Sequence, residues 1–237
     1  HSFPTRRSSD LMKKQLNTIY KNAQNLLSLV NQLLDFRKLE MKGERLHLMN
    51  GDMEEFIVSA YNNFMPMAVE KHLNFVNLSE HRALYMFFDR DKVHKIMNNL
   101  LSNAFKYTPQ GGTVNLQLAT EEIEERNYVR ISVSDTGIGI SESDLPYIFD
   151  RFYQAENGKQ VAGANPGTGL GLALSKNIIH LHHGDIAVQS QVGYGTIFTV
   201  TLLKGKDHFE KARNFYRKYG KNHLQNGHKR CIIYKWP

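Results

Sequence analysis

Apolar residues recur at steps of three and four from 12 to about 41: Leu16, Ile19, Ala23, Leu26, Val30 and Leu33, with Leu27 and Leu34 widening the stripe. No proline or glycine interrupts the pattern before Gly43, so it predicts one long helix with a heptad-like face. A stripe that wide has to be buried against other helices. Either the helix packs on its own domain, or it is half of a helical hairpin in a dimeric four-helix bundle. Residues 1–11 show no period and read as a non-structural leader or assembly scar.

Shorter elements follow. A strand is predicted over 45–49, then a helix opening on Asp52 as N-cap, with Met53, Phe56, Ile57, Ala60, Phe64 and Met67 on its buried face. Pro66 falls inside that pattern and predicts a kink or a break. Strand-like runs at 73–78 and 83–88 flank the turn-prone 79–82. The helix predicted over 89–107 buries Val93, Ile96, Met97, Leu100, Leu101, Ala104 and Phe105, and carries Asn99, Asn103, Lys106 and Tyr107 on its other side. Strands 113–120 and 128–134 form a hairpin around the acidic loop 121–126. Ser141 and Asp144 predict a helix start leading into 145–151. Residues 153–166, with Gly158, Gly163 and Pro166, read as a mobile segment. An apolar helix then runs from GTGLG (167–171) through Leu181, closed by Gly184 and followed by strands 185–190 and 195–203.

The 41% apolar content is enough for a real core and excludes wholesale disorder. No run of 18 apolar residues occurs, so nothing in the sequence reads as a membrane span. Cys231 stands alone, which excludes an internal disulfide and points to a reducing compartment. The net charge of +7 belongs to the ends: residues 204–237 contribute +8 and residues 1–14 contribute +3, leaving −4 for the body. Nucleic acid is therefore not an expected partner, although a basic, aromatic tail at 205–237 keeps that reading open. The tail itself reads as disordered. His180, His182 and His183 at a helix end fit the negative end of the dipole better than a metal, since no carboxylate or cysteine joins them.

Three stretches carry candidate chemistry. DTGIGI (135–140) follows a strand and offers a carboxylate to a ligand edge, with glycines that let backbone close over a flat face. The amides, ammonium and phenol on the 89–107 helix are what a polyphosphate with its metal requires. The glycines of GTGLG leave backbone N–H groups at the positive end of a helix, an arrangement suited to an anion.

These stretches occur in an order and spacing that resemble one family. NLLSNAFKYT (99–108) resembles the N box of bacterial sensor histidine kinases, DTGIGI their first glycine box and IFDRFYQ (148–154) their F box. GTGLGLALSK (167–176) resembles the second glycine box and GYGTIF (193–198) the last glycine motif, while NQLLDFRKLE resembles the second dimerisation helix of hybrid sensors. The resemblance implies an α/β (α+β) two-layer sandwich of the Bergerat ATP-binding type over 45–204, preceded at 12–43 by one helix of a dimerisation hairpin. It implies ATP and Mg²⁺ as ligands. Asp135, assisted by Thr196, would receive the adenine amino group within the loop of Gly137, Gly139 and Ile140. Asn103 would ligate Mg²⁺ with Asn99 beside it, Lys106 would meet the phosphates and Tyr107 would lie along the nucleotide. Gly167, Thr168, Gly169, Leu170, Gly171 and Leu172 would cradle the triphosphate. Phe149 and Phe152 would anchor a lid, and Arg151 would reach the γ-phosphate, with Asn99 and Lys106 as its catalytic companions.

The implied reaction moves the γ-phosphoryl group of Mg·ATP to a histidine in two-component signalling. Implied partners are a second copy through the 12–41 helix, once its missing partner helix is supplied, and a response regulator or receiver domain. A cytoplasmic location is implied, with a longer parent protein anchored in the inner membrane. None of the eleven histidines stands in the family's acceptor context, a histidine followed by an acid and Arg-Thr-Pro. The expectation is therefore a truncated kinase that binds ATP and does not phosphorylate itself. The alternatives are a nucleotide-binding or dimerising regulatory fragment, and another ATPase of the gyrase, chaperone or mismatch-repair kind.

Overall fold

The computed structural model describes residues 6–40, 46–80, 82–123, 126–156, 158, 167–205 and 232–234. They fall into two units, His1–Glu44 and Arg45–Pro237.

The first unit is one helix, α1, spanning Arg6–Glu40. It begins within the stretch read as a leader, which corrects that reading for residues 6–11. Those residues contain no proline or glycine, and once a helix is nucleated each added residue gains a hydrogen bond at little cost. Leu16, Ile19, Leu26, Val30, Leu33 and Leu34 all remain exposed along it. Among the described residues no helix is long and apolar enough to cross a membrane.

The second unit is a helical layer on a mixed sheet. Helices α2 (Met53–Glu70), α3 (Arg90–Tyr107) and α4 (Gly171–Leu181) lie against strands in the order β2-β4-β5-β7-β6-β8. These are β2 Asn74–Asn77, β4 Thr113–Ile123, β5 Arg126–Asp135, β6 Asp185–Gln191, β7 Gly195–Leu203 and β8 Ile232–Tyr234. The outer pairs β2/β4 and β6/β8 are parallel and the pairs between them antiparallel. Side chains alternate along the central strands. Val114, Leu116, Val129, Ile131, Val133, Ile186, Val188, Phe198 and Val200 are buried, so one face of the sheet supplies the core. From the helices, all seven predicted positions of α3 are buried beside Met53, Phe56, Ile57 and Ala60 of α2. Phe105 joins the layers, with its ring centroid 5.0 Å from Phe75 and 5.4 Å from Phe64.

Several boundaries differ from expectation. The strand expected at 45–49 is β1 at Met49–Asp52, and it pairs antiparallel with β3, Tyr85–Phe88, in a separate two-stranded sheet. Asp52 fixes that register, because Oδ1 accepts N–H bonds from both Glu54 (3.0 Å) and Leu84 (2.9 Å). Pro66 does not break α2, which continues to Glu70. It lies on the exposed side of the last turns, where losing one ladder bond leaves a carbonyl near solvent rather than in the core. The helix expected over 145–151 is only a 3-10 turn, Leu145–Tyr147, with Pro146 at its start. At the end of α4 the left-handed residue is His183 (φ 56°), not Gly184. Gly184 is required for a different reason: a Cβ there would lie 2.5 Å from the Thr201 carbonyl oxygen. Ile232–Tyr234, within the tail read as unstructured, adds a parallel edge strand beside β6. Most of the 153–166 segment and residues 206–231 lie outside the described residues.

Candidate functional site

The polar side of α3 faces the start of α4. Asn99 Nδ2 donates to Ser175 Oγ at 2.9 Å. Its Oδ1 lies 2.1 Å from where a Cβ on Gly171 would stand. The amide thus occupies the place of a missing side chain and braces the two helices. Asn103 follows one turn later, half-buried. Lys106 Nζ lies 3.5 Å from a hypothetical Cβ on Gly167 and 5.0 Å from the Tyr107 ring centroid. Burial, and then the charge of Lys71, lower the Lys106 pKa. Lys71 itself donates to the Phe105 carbonyl at 3.1 Å. Burial also pushes the half-buried Tyr107 phenol up.

Strand β5 delivers Asp135 to the C-terminal end of α3, where the Ile138 N–H donates to the Tyr107 carbonyl at 3.2 Å. The Asp135 carboxyl is pushed up to about 6, chiefly by burial and despite backbone N–H bonds from Gly137 and Thr196. The Gly137 N–H donates to Oδ1 at 2.8 Å, and Thr196 is the residue opposite Asp135 in the β5/β7 ladder. Thr196 is buried, with Oγ1 2.8 Å from Ser190 Oγ, and Ser190 Oγ also accepts from the Ile140 N–H at 2.8 Å. The glycines of this loop allow close backbone approach and, at Gly139, positive φ. A Cβ on Gly137 would lie 2.5 Å from the Tyr107 carbonyl oxygen, and one on Gly139 (φ +69°) 2.0 Å from that of Gln191. They let the loop seat on the end of α3 and on the β6–β7 turn, which holds Asp135 in place.

At the α4 end, Gly169 (φ +69°) accepts from the Phe152 N–H at 2.9 Å, and Thr168 Oγ1 accepts from the Leu170 N–H at 3.1 Å. Leu170 is buried and Leu172 half-buried. No side chain caps the start of this helix, so its first N–H groups and dipole end present partial positive charge. Phe149 is buried edge-on against Phe198 at 6.4 Å, with Lys176 Nζ 5.2 Å from its ring centroid. Phe152 is different: the residue is 63% exposed and its backbone is left-handed (φ 63°). Phe149 therefore anchors this stretch by its ring, and Phe152 by its backbone. Arg151 is exposed between them.

Four contributors escaped the sequence reading: Ser175, Ser190, Gln154 and Lys71. Gln154 Nε2 donates to the Gly167 carbonyl at 2.6 Å, joining the two sides of the 155–166 segment. Ser190 had a legible signal, because it occupies the inward position after Ile186 and Val188, where a third apolar residue is the norm. Ser175 lies one turn after Gly171 in an otherwise apolar stretch. Lys71 gave none, since its reach to α3 depends on tertiary packing.

Among the described residues no three His, Cys, Asp or Glu side chains gather to hold a metal. The arrangement is a buried carboxyl seated at the C-terminal end of α3, with the Lys106 amine facing Gly167 and, further back along the helix, the Asn99 amide against Gly171 at the uncapped start of α4. That suits a ligand with a hydrogen-bonding ring at one end and anionic groups at the other.

Comparison with known proteins agrees. Residues 88–206 match the sequence model described as histidine kinase-, DNA gyrase B-, and HSP90-like ATPase. "Histidine kinase P4" of Formosa agariphila is 35% identical over 207 residues, covering 87% of this chain and 15% of that protein. The crystal structure of full-length ShkA in complex with AMPPNP superposes with a TM-score of 0.68 at 25% identity, over 86% of this chain and 40% of that one. Histidine kinase ThkA in complex with the response regulator TrrA shares the fold, with a TM-score of 0.63 at 23% identity over 86% of this chain and 53% of that one. The chain thus spans well under two thirds of each of these relatives.

Proposed function

The chain belongs to the histidine kinase-, DNA gyrase B- and HSP90-like ATPase family, as a sensor histidine kinase ATP-binding domain with one further helix, and from that premise we propose that it uses Mg·ATP to phosphorylate a histidine. The observation that carries this reading is the seating of the Asp135 loop on Tyr107 at the end of α3, one residue from Lys106, which faces Gly167 ahead of the start of α4. Asp135 accepts the adenine amino group. Gly137 and Thr196 N–H groups hold its carboxyl in a single orientation, so adenine is read at a fixed distance from the phosphates. Lys106 and the α4 N–H groups neutralise the triphosphate.

The residues present fit a magnesium ion carried by the nucleotide. Asn99 is committed to Ser175 and Gly171, which leaves the half-buried Asn103 amide oxygen as the protein's hard donor. Bound there with the nucleotide's own oxygens and water, Mg²⁺ would supply neutralisation of the phosphate charge. Arg151 lies on the exposed stretch after Phe149 and reaches the γ-phosphate as that stretch closes. In the transfer, the bond between the γ-phosphorus and the β–γ bridging oxygen breaks, a bond from phosphorus to an imidazole nitrogen forms, and ADP leaves. The chain's contribution is positioning and electrostatics rather than covalent chemistry.

The ThkA complex supports a response regulator as the downstream partner, and the exposed apolar stripe of α1 supports pairing with further helices, including a second copy. The test is incubation with γ-labelled ATP and an acceptor hairpin added in trans. Acid-labile, base-stable label on the hairpin and none on this chain is the expected result. Absence of label on the hairpin, despite nucleotide binding, would favour a regulatory nucleotide-binding role.

A further inference from the structure

Among the described residues the most deeply buried ionisable side chain outside the site is His182, 2% exposed at the end of α4. Its two ring nitrogens have opposite partners. Nδ1 lies 2.9 Å from the Ile178 carbonyl oxygen, an acceptor only, so Nδ1 carries the proton. Nε2 lies 3.2 Å from the Asp89 backbone nitrogen, a donor only, so Nε2 is bare. Asp89 is the N-cap of α3: Oδ1 accepts from the Lys92 N–H at 3.1 Å, and Oδ2 accepts from the His47 N–H at 2.9 Å. One imidazole therefore joins the far end of the phosphate-facing helix to the beginning of the helix that carries Asn99, Asn103 and Lys106. Through Asp89 it also reaches the segment at 46–48.

We propose that His182 is a positioning residue for the nucleotide site, a neutral imidazole protonated at Nδ1 that locks the end of α4 to the start of α3. The lock holds the far ends of two helices that meet near the site through small groups, Gly171 and Ser175 against Asn99. Adding a proton at Nε2 removes the acceptor and turns a bonded pair into two facing donors. The charged or titratable groups that act on this imidazole are Asp89 and Lys92 of α3 and His183 after α4. Of these only the Asp89 carboxylate favours the imidazolium, and it is already occupied by two backbone N–H groups and by Lys92 Nζ at 3.8 Å. Burial, the largest influence, favours the neutral ring.

The affinity part of this inference rests on the nucleotide reading above; the tautomer and the Asp89 bond do not. The test uses the full chain. Imidazole nitrogen NMR of the parent at pH 7 is expected to show His182 as the Nδ1–H tautomer. His182→Asn keeps a donor near Nδ1 and His182→Leu keeps only bulk. Both are expected to speed amide exchange at Asp89 and to weaken AMPPNP binding roughly 3- to 10-fold, the loss expected for one hydrogen bond. His182→Gln, which places a carbonyl oxygen near Nε2, is expected to restore Asp89 protection and most of the affinity. An Nε2–H tautomer or an imidazolium in the parent would overturn the proposal, and that measurement holds even if a variant fails to fold. So would His182→Leu with parental Asp89 exchange. If the parent binds no nucleotide while the tautomer and Asp89 results hold, the lock stands and the nucleotide reading falls.

Discussion

Asp135→Asn separates what the site contributes to function from what it costs in stability. Burial raises the carboxyl from 3.8 to about 6, so the folded protein resists its ionisation. That difference corresponds to about 3 kcal/mol. The sign follows from linkage: stability is greatest when the carboxyl is protonated in both states. It declines as pH rises from the unfolded value, and the loss is complete once pH has passed the folded value. At pH 8 the parent therefore carries the whole penalty, whereas an asparagine, whose Oδ1 still accepts the Gly137 N–H, carries none. The variant should melt roughly 5–10 °C above the parent at pH 8, on the scale of a domain this size. The gap should narrow toward pH 4. In calorimetry the same variant should lose ATP affinity by at least about tenfold, the effect of replacing a charged acceptor of the adenine amino group. A variant that melts at or below the parent at pH 8, or a gap independent of pH, would refute this account of Asp135.

Further outcomes follow from the same geometry. Gly171→Ala puts a Cβ 2.1 Å from Asn99 Oδ1 and should weaken ATP binding about tenfold by misplacing the start of α4, while adenosine binding at Asp135 changes little in calorimetry. Gly139→Ala combines φ +69° with a 2.0 Å approach to the Gln191 carbonyl, so urea titration should show a loss of about 3 kcal/mol or more. Lys106→Met removes the amine facing Gly167 and should cost ATP affinity roughly 10- to 100-fold while adenosine affinity is kept.

How far the sequence carried depended on whether a residue's role was local. The core of α3 was readable because helical spacing alone determines which of Val93, Ile96, Met97, Leu100, Leu101, Ala104 and Phe105 face inward, and all are buried. The ordered boxes brought Asp135, Lys106 and Gly167–Gly171 into one reading; in the fold Lys106 faces Gly167 and the Asp135 loop rests on the neighbouring Tyr107 carbonyl. What sequence misplaced was tertiary. The pairing of β1 with β3 is set by Asp52 reaching the Leu84 N–H, a contact 32 positions apart with no local signature. The sequence also does not tell that Gly137 and Gly139 admit the carbonyls of Tyr107 and Gln191, which are brought there by tertiary packing. The histidine cluster was read as favouring a helix dipole; that His182 is buried between the Ile178 carbonyl and the Asp89 N–H is set by tertiary packing, without a local signature.

The most direct test of a nucleotide lying along α3 is the backbone amide spectrum of the chain titrated with AMPPNP and Mg²⁺. Large shifts are predicted at Gly137 and Ile140, at Lys106 and through Gly169–Leu172, with the first pair alone moving when adenosine is added. Saturable binding whose shifts avoid both the Asp135 loop and the start of α4 would contradict the account.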